Sequence, residues 1–439
     1  MKNILTFLLF IMLPFLSGAQ ISIIGSPSME ITPELSTGLK KVFVVRNTSG
    51  ARMEYEASSQ SVRWERFSSL GGGYAEPLQN VSCNGNVYSA DLEGNMGYII
   101  TDGNIQTCLW VCNYSDFPYT ISELIAAEND CDRVLLNVVG SAPEIPYYTV
   151  NGRRMIVDRQ IRLSYNTLSY DSGSGQYVQI NVDSEVEYVN SSISIPAPLC
   201  STSVTIHPGR FASVWGEGHE VESQWIEPLA VAASVNAVQA EDEADNQQSI
   251  GNGGENLGGS APAEITFSAA ITDAAVFRRW EFSSSPNFED VQLTFSDLVV
   301  TYVFEEAGST YVRFVCDNAN GSCPFESESF TITIGDSRLN CPNAFSPGSS
   351  EGVNDEWKVS YRSIIEFHCE IFNRWGQKLA TLTHPSQGWD GIVGGKPVPS
   401  GVYFYVINAL GSDGKKYKLS GDINVISSRW KTSAPSVDL

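Results

Sequence analysis

The side chains that could do chemistry are few and scattered. There are four histidines, His207, His219, His368 and His384, and no two stand at the spacing of a paired zinc motif. A metallohydrolase is therefore not expected, and each imidazole reads as solvated or packed on a strand. Gly71-Gly72-Gly73 lacks the Lys-Ser or Lys-Thr that completes a phosphate loop and reads as a turn. Carboxylates are plentiful, and glycoside hydrolysis needs only two of them at a set separation. No nucleophile or metal constellation stands out, however, and small β-sandwiches offer little depth for a substrate. No catalytic, metal or cofactor residue is expected, and the chain reads as a non-enzyme.

The elements that would position these groups are strands. Lys41-Val42-Phe43-Val44-Val45, Gln176 to Val182, Leu298 to Phe304 and Phe330-Thr331-Ile332-Thr333-Ile334 are β-branched and aromatic runs bounded by turn residues. One short helix is predicted over 122–128. The fold class is all-β, a tandem of immunoglobulin-like or PKD-like sandwiches. A weak repeat agrees: Arg63-Trp64-Glu65-Arg66-Phe67-Ser68 is echoed by Arg279-Trp280-Glu281-Phe282-Ser283, each followed later by a Cys-bearing strand. Trp64 and Trp280 are predicted core residues, not sugar platforms. The later copy, Ala307 to Phe314 running into Asn318-Ala319-Asn320-Gly321, is similar to the closing strands of a PKD-like domain.

Composition places the boundaries. The segment 236–260 carries Glu241-Asp242-Glu243 and Gly251-Asn252-Gly253-Gly254 with few apolar residues, so a flexible acidic loop is expected, with no calcium spacing. The divisions are 1–19, 20–140, 141–227, 228–335 with the loop inside it, and 336–439.

Lys2, an apolar run from Ile4 to Leu16 and the small residues Ser17-Gly18-Ala19 have the layout of a signal peptide, too short to span a bilayer. No later segment is apolar enough to span. With 27 Lys and Arg against 50 Asp and Glu, the net charge of -23 argues against a nucleic-acid partner. Most of the nine cysteines of an exported chain should be oxidised. Cys316 and Cys323 flank a turn-rich segment and form the favoured disulfide. Cys108 and Cys112 on one strand lie about 13 Å apart, too far to pair with each other, which leaves Cys83 and Cys131 as their nearest candidates. Cys369 reads as a buried free thiol on the apolar face it shares with Ile365, Phe367 and Ile371.

The last hundred residues carry a series of separated motifs: Pro342, Asn343, Phe345 and Pro347; Gly352, Asn354 and Asp355; Phe372-Asn373-Arg374-Trp375-Gly376; Trp389-Asp390-Gly391; Gly401 and Tyr403; and Gly421. This series resembles the gliding motility-associated C-terminal domain, the type B sorting domain of the type IX secretion system. The resemblance implies a β-sandwich, export across the outer membrane and a location at the cell surface or outside it, with the secretion machinery as partner. Trp375 and Trp389 are predicted core anchors, Gly376, Gly391 and Gly401 turn residues, and Asn354-Asp355 a loop organiser. The loop at Gly348-Ser349-Ser350-Glu351-Gly352 departs from the family pattern by one extra residue and lacks its first Asn and Asp. The expected function is that of a surface structural or adhesive protein with a possible surface or matrix ligand; the alternative is a non-enzymatic component or sensor of the secretion and gliding machinery.

Overall fold

A computed structural model describes residues 21–70, 73–240, 244–248, 257–349 and 352–426. The predicted signal peptide, Gly71-Gly72, Glu241-Asp242-Glu243, the Gly251 to Gly254 run and residues 427–439 lie outside them. The chain divides into two compact units, one running to Thr167 and including Gln179–Pro228, the other comprising Leu168–Val178 and the residues from Leu229 onward.

In the first unit, a four-stranded sheet and a six-stranded sheet enclose a core where Trp64 packs edge-on against Tyr55 at 6.4 Å. Lys41–Val45 runs parallel to Ile105–Asn113 in the six-stranded sheet, with Leu109 opposite Lys41. Its apolar residues do not alternate with polar ones because both faces are covered. Phe43 and Val45 face the sandwich core, whereas Val42 and Val44 join Trp110, Phe211 and Tyr147 in a second core. The hairpin Ile145–Tyr148 and Arg154–Val157, and the α-helix Arg210–Trp215, supply the covering side chains. Buried Arg159 stands over the Tyr114 ring and donates to the carbonyls of Phe117 and Pro143.

The helix predicted over 122–128 is instead the strand Glu123–Asn129, antiparallel to Arg133–Val139. Local helix propensity is a weak force against a complete ladder and the burial of Leu124. Both strands contribute to the second sandwich's core, where Leu124 and Leu136 join Leu163 and Ile206. Residues on either side of position 140 therefore share one interior.

In the second unit, Trp280 is fully buried between Phe267 and Phe314, at 5.6 and 5.0 Å. Ala233–Gln239 and Leu257–Gly259 are strands, so the predicted acidic loop is shorter at both ends. The C-terminal domain is built on a five-stranded sheet in the order Ala344–Phe345, Lys416–Val425, Gly401–Gly411, Ile364–Phe372 and Lys378–Leu382. Cys369, Phe367 and Ile371 are buried there as expected. A bulge between Ile364 and Glu366 puts Ile364 in that core, while Ile365 packs against the third sandwich.

The favoured disulfide is not formed. Cys316 is a free thiol facing the core around Trp280, whereas Cys131 and Cys323 are each disulfide-bonded. Hydrogen bonds close the intervening turn instead: Asp317 Oδ1 accepts from the amides of Asn318 and Cys323, and Asn318 Oδ1 accepts from Ser322 N. Cys83, Cys108 and Cys112 are free.

Candidate functional site

The motifs of the C-terminal domain converge on one end of its sheet. Ala344–Phe345 runs parallel to the last strand, and the Asn343 carbonyl accepts from both Asn424 N and Nδ2 at 2.9 and 3.0 Å. Phe345 packs on Trp389 at 5.6 Å, and Trp389 on Tyr403 at 5.4 Å. Tyr403 donates its hydroxyl to Pro399 O, and burial pushes its phenol above the ordinary value. Asp390 Oδ1 accepts from Ile392 N, and the Gly391 carbonyl from Val398 N, closing the turn beyond Trp389. Trp357 donates its indole N–H to Pro342 O at 2.7 Å.

Asp355 organises the divergent loop. Its two carboxylate oxygens accept from Gly348 N at 2.6 Å and Gly352 N at 2.8 Å, while Asn354 O accepts from Ser346 N. Pro347, in the same segment, is half-buried. Among the described residues no group of three His, Cys, Asp or Glu is placed to hold a metal ion.

Gly421 lies opposite Tyr405, and a β-carbon there would stand 2.7–2.9 Å from that ring and its hydroxyl. Gly401 opens the long strand and pairs with Val425.

Trp375 departs from its predicted role. Asn373 Oδ1 accepts from the amides of Trp375 and Gln377, and Gly376 takes φ +79° to close the turn between two strands. That geometry throws Trp375 outward, 79% exposed, with the Arg374 guanidinium 4.9 Å from its ring. Trp389, the other predicted anchor, is 3% exposed. The neighbouring strand Gly401–Gly411 adds to the outward surface. Val402, Phe404 and Val406 alternate with buried or half-buried residues and remain exposed, with Phe372 opposite Phe404. A hollow of about 180 Å³ beside Val402 is lined by Arg374, Trp375, Leu379, Pro399 and Tyr403.

Two relationships lay outside the reach of sequence reasoning. Residues 244–248, expected to be part of a free loop, lie along Ser360–Arg362: Tyr361 N donates to Asn246 O, and Gln248 N to Tyr361 O. Asn246 Nδ2 donates to Val359 O and Pro385 O, and Lys358 pairs with Asp245 at 3.3 Å. In the second sandwich, His207 is joined to Ser164 and Glu220. Only strand pairing brings such residues together. The one visible signal was the unbroken apolar run from Val402 to Val406, which leaves one face without cover.

Residues 339–425 match the family model described as the CHU_C type IX secretion signal domain. The C-terminal domain is a type IX secretion signal domain. Residues 123–223 match the fibronectin type III domain family, over the second sandwich. No curated protein matches the chain. Among solved structures, the chain is similar to a tetra-tandem repeat in the extending region of a large adhesion protein, at 12% identity and a TM-score of 0.20, covering 86% of this chain and 96% of that one. It is also similar to chicken CNTN1 FN1-FN3 domains, at 12% identity and a TM-score of 0.25, covering 70% and 99%. Dimeric latent PorU from Porphyromonas gingivalis matches at 10% identity and a TM-score of 0.16, covering 71% of this chain and 33% of that one. The signal domain marks the chain for type IX export to the cell surface or beyond it. Among the described residues no helix is long and apolar enough to cross a membrane.

Proposed function

We propose that this is a cell-surface structural or adhesive protein, with its sandwiches acting as spacers or binding modules and its signal domain read by the type IX machinery. The observation that carries this is the outward Trp375 on a turn fixed by Asn373, sharing a hollow with the exposed Val402, whose strand also exposes Phe404. An exposed apolar patch on a domain with its own complete core marks an interaction surface, and a rigid aromatic with a stacked arginine is a common anchor. The main role is display, not turnover. A second proposal, a non-enzymatic component or sensor of the secretion machinery, draws support from the contact of residues 244–248 with the signal domain. A domain held in this way is suited to staying attached.

Fractionation and intact-mass analysis of the native protein, beside a truncated chain ending at Asp336, test both. Display predicts surface location for the full chain and periplasmic retention of the truncated one. Loss of export of other proteins on deletion of the gene would favour the machinery component. A location indifferent to truncation would overturn the assignment of the signal domain as the address.

A further inference from the structure

Ser164 Oγ lies 2.8 Å from His207 Nε2, and His207 Nδ1 lies 2.7 Å from Glu220 Oε1. The order hydroxyl, imidazole, carboxylate is that of an activated nucleophile, with a base within reach and a third group orienting the base. Strand geometry fixes it. Leu163 and Ile206 face each other across the ladder and are buried, so Arg162, Ser164 and His207 take the opposite face, with Arg162 opposite His207. Val221 opposite Ile206 holds the next strand in register and sets Glu220 beside the imidazole.

His207 and Glu220 line a hollow of about 450 Å³ together with Gln160, Arg162, Arg210 and His219, with Glu185 also at its wall; Ser164 is not part of that lining and adjoins it through His207. That volume is within the range of small-molecule sites. Arg210 uses one terminal nitrogen on Asp158 O and leaves its buried Nε without a hydrogen-bond partner, and the nearest carboxylate oxygen to Arg162 is that of Asp183 at 3.9 Å. Two guanidiniums lining that hollow suit a substrate that carries a carboxylate.

We propose that, beyond the display role, Ser164, His207 and Glu220 form an acyl-transfer site for a small ester bearing a carboxylate. His207 Nε2 takes the Ser164 proton as Oγ bonds to the acyl carbon; the ester C–O bond breaks, and His207 returns the proton to the leaving alkoxide. Water then gives a proton to His207, its oxygen bonds to the acyl carbon, and Ser164 Oγ departs and recovers the proton. The net change is ester plus water to acid plus alcohol.

The test uses the full chain with a fluorophosphonate probe, followed by peptide mapping, and hydrolysis of mono-p-nitrophenyl succinate beside p-nitrophenyl acetate. The expected result is an adduct on Ser164 and a preference for the anionic ester. Ser164→Ala should remove the adduct, and His207→Gln should slow labelling by about a hundredfold, the lower end of general-base effects. Circular dichroism confirms that each variant is folded. Absence of an adduct on Ser164 in the folded wild-type chain, or succinate-ester hydrolysis unchanged in Ser164→Ala, would overturn the proposal and leave the three residues as a polar tie between strands.

Discussion

Asn246 and Val359 are joined by a 2.7 Å hydrogen bond from the Asn246 side-chain amide to the Val359 carbonyl. The same nitrogen also reaches Pro385 O at 2.8 Å. One short segment of an acidic connection thus completes the backbone pairing of the signal domain. Asn246→Ala should cost about 1–3 kcal/mol, because two part-buried carbonyls lose their donor. Faster limited proteolysis between Gln239 and Leu257 should accompany it. An unchanged cleavage rate would show that the segment does not hold the connection in solution.

The two tryptophans of the signal domain should separate cleanly. Trp389→Ala empties a site packed by Phe345 and Tyr403 and should cost about 3–5 kcal/mol. Trp375→Ala removes a largely exposed ring and should alter stability by no more than about 0.5 kcal/mol, yet impair export. Thermal unfolding and a secretion assay on the same pair of variants read both effects. Normal export of Trp375→Ala would remove the exposed ring from the recognition surface.

Gly421→Ala places a methyl against Tyr405 and should destabilise by about 1–3 kcal/mol, as overpacking does. Tyr405→Leu in the same chain should recover part of that loss. Chemical denaturation of the single and double variants gives the coupling, and full additivity would mean that the two side chains do not compete for space.

Acid should weaken the first sandwich through Asp102. Burial raises the pKa of this carboxyl, but the Ser59 hydroxyl, the Ser58 and Ser59 amides and the Tyr55 hydroxyl outweigh that and hold it below the ordinary value. A depressed folded-state pKa contributes stability above the unfolded pKa, near about 3.9, and loses it as pH falls through the folded value. Asp102→Asn should therefore flatten the loss of stability below about pH 4. An identical acid-unfolding profile would refute this role.

Thiol reactivity should follow burial. Cys83 is exposed, whereas Cys112, Cys316 and Cys369 are buried, and burial raises Cys369 to about 12 and Cys316 to about 11. Iodoacetamide should label Cys83 first in the native protein, because the thiolate is the reactive form. Mass mapping before and after denaturation checks the order.

These details mark where sequence reasoning succeeds. Trp64 and Trp280 were legible as core because each sits in a strand with charged neighbours on both sides, and the ladder leaves little choice of face. Trp375 was misread because it lies inside the turn from Asn373 to Gly376, where side-chain to backbone hydrogen bonds set direction. The strand at Glu123 was hidden by residues with mixed local preference, and its identity depends on Arg133–Val139 beside it. Cys316 and Cys323 are close in sequence, but the strand bearing Cys316 points its sulfur inward. The Ser164 relay needed a pairing across 43 residues that no local pattern announces.

The strand Lys41–Val45, covered on both sides, bears on how this architecture can be inherited. A sandwich with a wet outer face can be duplicated, deleted or moved between genes on its own. Val42, Val44 and Trp110 share an interior with Tyr147 and Phe211, so cutting between the first two sandwiches would open an apolar wound on both products. The smallest unit that recombination could transplant intact from this end of the protein is the pair.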